Sequence, residues 1–116
     1  MFLISVAKID HIVIKSTAYS RILNEDNNEV VADHLNCNFG QWYTSEGKEQ
    51  FGHTKSFKEV ERPHVELHDK IKLNMKYLEN DTAFDPTNTK DIIKNFKDME
   101  DASVTLFTHL ENMIKE

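Results

Sequence analysis

The sharpest local feature of this 116-residue chain is His64-Val-Glu-Leu-His68. Residues four apart on a helix lie one turn above each other, with Cβ atoms about 5–6 Å apart. Two imidazoles so placed reach one metal ion, and nitrogen donors suit a borderline cation such as Zn²⁺. The pair also sits on an apolar stripe, because His64, His68, Ile71, Met75 and Leu78 recur at spacings of four and three. His11 occupies the same kind of position in the stripe Ile4, Ala7, His11, Ile14, Ala18.

Three imidazoles directed into a helical interior are costly unless each ring nitrogen finds a partner. Any one alone reads most simply as a core histidine bonded to a carbonyl or carboxylate. A shared metal satisfies all three together. Cys37, the lone cysteine, has its own simple reading as a small buried hydrophobe. Yet it opens Cys37-Asn-Phe-Gly-Gln-Trp42, where Gly40 permits a tight backbone turn between two large apolar anchors, Phe39 and Trp42. Such a loop can present a thiolate rigidly, and a fourth donor completes a tetrahedral shell.

Taken together these residues resemble the chemoreceptor zinc-binding domain family, known as CZB. The family pattern is a histidine, an apolar or aromatic residue two places on, then Cys-x-apolar-Gly-x-aromatic, then His-x-x-x-His. Here those elements are His11 with Val13, then Cys37, Phe39, Gly40 and Trp42, then His64 and His68, separated by stretches 14–36 and 43–63. Val13 is smaller than the usual residue at its place, which bears on how the first helix packs near the site. The resemblance implies an antiparallel four-helix bundle, a three-histidine, one-cysteine Zn²⁺ site, a homodimer and a cytoplasmic signalling context. Its opening, Ile4-Ser-Val-Ala-Lys-Ile-Asp-His11, is most similar to the chemoreceptor branch. The expectation is therefore a sensor of zinc or oxidants that is not an enzyme, with an attached signalling region upstream of Met1. A zinc-bound cysteine is a thiolate, the form oxidants attack, which makes Cys37 the redox-sensitive atom.

Two other chemistries compete. A hydrolytic zinc site keeps an open position for water, which four protein donors do not leave. Glu66, between the two histidines, faces about 100–200° away from them on a helix and is a poor general base. A hemerythrin-like di-iron oxygen carrier needs His-x-x-x-Glu, but His34 is followed four later by Asn38, and His53 by Phe57. His34, His53 and His109 match no ligand position and read as surface or ordinary polar residues.

The balance of charge narrows the partners. A net charge of −6 argues against nucleic acid and anionic membranes. The apolar start is too short for a signal-peptide core or a membrane span, and one cysteine forms no internal disulfide. Residues 1–116 read as a single domain, long enough for one core and no more.

The elements that must position the donors follow from periodicity. With three glycines and two prolines the chain has little turn chemistry, which favours a few long helices. The first helix ends in the polar run from Asn24 to Asn28, and Glu29 to Asn38 has no clear pattern. Gly40 and Gly47 are expected to bracket a short helical piece, Gln41 to Glu46, and Ser56 to Val60 another. Pro63 suits the first turn of the helix carrying the histidine pair. Asp85-Pro-Thr-Asn88 breaks the chain before a final helix with the stripe Ile92, Phe96, Met99, Ser103, Leu106, Leu110, Met113. That repeat is typical of bundle packing. On the first helix Phe2, Val6, Ile9 and Val13 form a second stripe, opposite the one carrying His11, which one core cannot also bury.

Overall fold

The structure, a computed structural model, describes residues 4–26 and 31–115. Phe2, Asn27, Asn28 and Glu29 lie outside these. The fold is all-α, with no strand among the described residues: α1 (Ile4–Asn24), α2 (Asn38–Tyr43), α3 (Glu46–Phe51), α4 (Lys55–Glu79), a 3₁₀ turn (Pro86–Asn88) and α5 (Thr89–Met113).

The stripe of α5 is its buried face: Ile92, Met99, Ser103, Leu106, Leu110 and Met113 are buried, and Phe96 packs partly against the core. Opposite them α4 buries Val60, Leu67, Ile71, Met75 and Leu78. Each such side chain withdrawn from water contributes about 1.5–3 kcal/mol. Polar pairs fix the register. Lys70 faces Asp98 at 3.6 Å, and His109 Nδ1 faces Glu59 at 3.3 Å without hydrogen-bond geometry. Buried Asn74 donates to the Ile92 carbonyl at 3.1 Å and accepts from Asn95 at 2.9 Å. One residue number rises as the other falls, so α4 and α5 are antiparallel. By the same test α1 is antiparallel to α5, through Lys8 with Glu111, Lys15 with Glu100 at 2.7 Å, and Tyr19 stacked on Phe96 at 4.2 Å. Hence α1 runs parallel to α4.

Two expectations change. Gly40 and Gly47 lie inside α2 and α3 rather than bracketing one piece. Each glycine is there for closeness: a Cβ at Gly40 would stand 1.9 Å from the His34 carbonyl oxygen, and one at Gly47 2.8 Å from the Trp42 ring. Ser56 to Val60 is not a separate helix and Pro63 is not in a first turn; both belong to α4. Thr54 caps that helix, its hydroxyl accepting the Phe57 N–H at 3.1 Å, and Phe57 and Val60 anchor the first turns in the core. Pro63 removes one backbone donor, and burial of the flanking turns outweighs that local loss.

Two of the long helices stop without a glycine. Both α1 and α4 close in Schellman turns whose left-handed residue is Glu25 (φ 49°) or Asp81 (φ 56°). The Asp26 N–H reaches the Arg21 carbonyl at 3.0 Å, and the Thr82 N–H the Tyr77 carbonyl at 2.8 Å. No helix among the described residues is long and apolar enough to cross a membrane.

Candidate metal centre

Parallel α1 and α4 bring His11 level with His64 and His68, while the N-terminus of α2 delivers Cys37 between them. One donor atom from each of the four lies within 4.8 Å of the others, and all four residues are buried. The imidazole rings meet edge to face: His11 to His64 at 5.0 Å and 88°, His64 to His68 at 4.8 Å and 87°, His11 to His68 at 5.5 Å and 75°. Phe39 closes one side, its ring 4.9 Å from His64 and 5.6 Å from His11.

Two of the donors, His11 and Cys37, are held from outside the group. His11 Nδ1 lies 2.9 Å from the Ala7 carbonyl, one turn back on α1, so that nitrogen carries the proton and Nε2 offers its lone pair inward. Cys37 is the N-cap of α2; its Sγ accepts the Gly40 N–H at 3.2 Å and stands 3.3 Å from His64 Nε2. The Cys37 N–H in turn reaches the Asp33 carbonyl at 3.0 Å. His11 Nε2 and both nitrogens of His68 are buried with no hydrogen-bond partner. The Ala32 backbone leans on His68 without reaching hydrogen-bond geometry.

Protein atoms alone leave this group unfavourable to charge. Burial, then neighbouring His11 and His68, pushes the His64 pKa down to about 2. Burial and then His11 push that of His68 down to about 4. Burial lowers His11 and raises the Cys37 thiol. Four neutral donors, two of them histidines with unpartnered ring nitrogens, make a site that wants a cation. The donor set, one soft sulfur and three imidazoles, suits Zn²⁺. A tetrahedral zinc shell has donor–donor edges of about 3.3–3.8 Å. The Cys37–His64 edge already has that length, and small side-chain rotations close the wider ones. The residues present fit the metal.

A model of the chemoreceptor zinc-binding domain matches residues 11–73. The chain belongs to this family. The match begins at His11 and runs past His68, so it spans all four donors of the converging group. As a CZB domain the protein has zinc as its cofactor, and the family is a sensory rather than a catalytic one. No curated protein and no solved structure matches the chain.

The other singled-out residues fall as follows. Phe39, Gly40 and Trp42 are buried in α2, with Phe39 and Trp42 tilted together at 5.7 Å. Glu66 and His53 are exposed. His34 is the residue that sequence reasoning passed over. Its ring stands edge-on to His64 at 6.1 Å, outside the four but beside them. The local signal was Asp33, whose carboxylate accepts the Leu35 and Asn36 N–H groups at 3.0 Å and makes a tight turn. Three residues before Cys37, such a turn folds His34 back toward the thiol.

Proposed function

We propose that His11, Cys37, His64 and His68 bind one Zn²⁺, and that the domain is a zinc- or oxidant-responsive module of a cytoplasmic chemoreceptor. The observation that carries this is the convergence of four buried donors, with ring nitrogens of His11 and His68 that have no hydrogen-bond partner. The donors come from α1, from the cap of α2 and from α4, so metal binding would tie together three elements remote in sequence. Zinc supplies that cross-link when bound. The protein supplies the rest: the Ala7 carbonyl sets the His11 tautomer, Gly40 N–H holds the sulfur, and Phe39 keeps water away. Four protein donors leave no site for a hydrolytic water, in keeping with a role that is not enzymatic.

The short helices α2 and α3 together take the place of the fourth helix in an antiparallel four-helix bundle, and residues 1–116 act as one domain joined to a signalling output through α1. A change at Cys37 would release the α2 cap and loosen α1 from α4. Transfer of oxygen from peroxide or hypochlorite to the sulfur, with hydroxide or chloride leaving, weakens its grip on zinc. The di-iron alternative has little support, because no carboxylate joins the donor group among the described residues.

X-ray absorption of the zinc-loaded protein should give one sulfur and three nitrogen neighbours at one metal per chain. Replacing any one of the four by alanine should lower zinc affinity by roughly 100-fold or more, beyond the usual effect of an outer-shell change. Unchanged affinity in one of these variants overturns that ligand. For the redox version, low-stoichiometry hypochlorite should release zinc and modify Cys37 together, and Cys37→Ser should remove the response. Oxidation confined to methionines such as Met75 would leave zinc occupancy as the signal.

A further inference from the structure

A metal whose four ligands are all buried meets solvent only where one of them borders a cleft. Stripping such an ion of donors one by one, with nothing to replace them, leaves an under-coordinated charge in a low-dielectric interior. Exchange at a useful rate needs a further donor at the edge of the site. The structure holds one imidazole in that place.

Beside the donor group lies a cleft of ≈ 960 Å³ whose walls include Arg21, His34, His68, Asp69, Lys72 and Glu79. A cation with six waters occupies about 180 Å³ at roughly 30 Å³ per water, so the cleft has room for a hydrated ion. His34 and His68 are the two imidazoles that face this cleft. His34 is partly exposed, and its ring is edge-on to His64 at 6.1 Å. It therefore stands on the wall of the cleft, next to His64 and on the same cleft as His68.

That placement is enforced. Asp33 caps the turn through three bonds: the Leu35 and Asn36 N–H groups at 3.0 Å, and the Asn36 side chain at 2.9 Å. The missing Cβ of Gly40 leaves room for the His34 carbonyl, which also faces the Cys37 sulfur at 3.8 Å. The backbone that carries the imidazole is thus fixed to the Cys37 loop from two directions.

We propose that His34 is a transfer ligand: it takes zinc from the cleft and passes it to the His64–His68 pair, and reverses this on release. It sets the rate of exchange without belonging to the resting shell. The inference rests on the zinc reading above. Its test uses the intact zinc-loaded chain, with release timed by stopped flow into excess EDTA and uptake timed with a zinc indicator. His34→Phe keeps the ring's volume and edge contact but removes the donor, and His34→Asp restores a donor of different shape. We expect His34→Phe to slow both release and uptake about tenfold, in the range of other outer-shell effects, with an equilibrium affinity within roughly threefold of the parent. His34→Asp should recover most of the rate. Circular dichroism melts establish that both variants fold, and His34→Gln serves if the phenylalanine does not. Wild-type rates in the donor-free variant overturn the transfer role alone. Lost affinity with unchanged uptake overturns it too, because His34 then belongs to the resting site. A parent chain that binds no zinc sinks the zinc reading itself.

Discussion

His64 and His68 are paid no compliment by their surroundings: each is a base buried where its charged form is disfavoured. Their pKa values, about 2 and about 4 in the folded chain, lie below the ordinary 6.5. As pH falls below 6.5 the unfolded chain takes up protons that the folded one refuses, so acid favours unfolding. The stability they permit is complete above 6.5 and declines through about 4 for His68 and about 2 for His64. The melting temperature of metal-free protein should therefore be nearly level above about pH 7 and drop steadily from about pH 6.5 to pH 5, and His68→Gln should flatten the slope. A melting temperature constant over that range contradicts the burial. Acid acts in the same direction on the loaded protein, since protons compete with the metal for the same lone pairs. Gly40 gives a second residue-scale expectation. Gly40→Ala forces its methyl into the His34 carbonyl, and overpacking of this kind costs about 1–3 kcal/mol. Because the same turn carries Cys37, zinc affinity should fall with stability, read by denaturation and by chelator competition. A variant as stable and as tight as the parent removes the stated reason for the glycine.

Helix ends and interhelical bonds set the element scale. Glu25 closes α1 in a left-handed conformation that glycine adopts freely. Glu25→Gly should raise stability by about 1 kcal/mol, the left-handed penalty of an L-residue offset in part by unfolded-chain entropy. Guanidinium denaturation reads this directly, and destabilisation would mean the Glu25 side chain does more than close the turn. Asn74 is the buried polar residue that pins α4 to α5. Asn74→Ala leaves the Asn95 amide without its acceptor and should cost about 1–3 kcal/mol. An asparagine truncated at no cost would mean the register is held by the apolar stripes alone. Pro63 teaches the opposite lesson about local rules. Its missing N–H argued for a helix start, but Phe57 and Val60 are buried on the preceding turns, and their packing carries α4 straight through it.

For the whole molecule the open question is the outer face of α1. Val6, Ile9, Ile12 and Val13 are 44%, 60%, 47% and 56% exposed, while Ala7, His11 and Ala18 on the other side are fully buried. Phe2, the first residue of the second stripe, lies outside the described residues. An apolar helix face of this kind marks an interaction surface, and we propose a second copy of the chain as its occupant. Sedimentation at micromolar concentration should give a dimer, and Ile9→Glu with Val13→Glu should give a monomer that still binds zinc. A clean 13.5 kDa monomer for the parent chain ends the idea. A dimer through α1 would set His11 just behind the interface, so that zinc occupancy and subunit packing share one helix.

Much of this protein was legible in the order of its residues. Helical stripes at α1, α4 and α5 announced themselves because a helix must bury one face, and the repeat of apolar side chains records which. That His11, Cys37, His64 and His68 converge was legible because three histidines on buried stripes need a common partner and the Cys37-Asn-Phe-Gly-Gln-Trp42 loop completes the motif of the family. Sequence could not show what depends on approach between distant segments. Gly40 looked like the edge of a short helix, and only the His34 carbonyl packed against it reveals why it is glycine. Pro63 looked like a helix start until the burial of the turns before it was seen. His34 matched no motif, since its place beside His64 comes from the Asp33 turn and the packing of α2 on α4. Periodicity reports which face of an element is buried; what that face meets is decided by tertiary packing, where the site and its entrance are made.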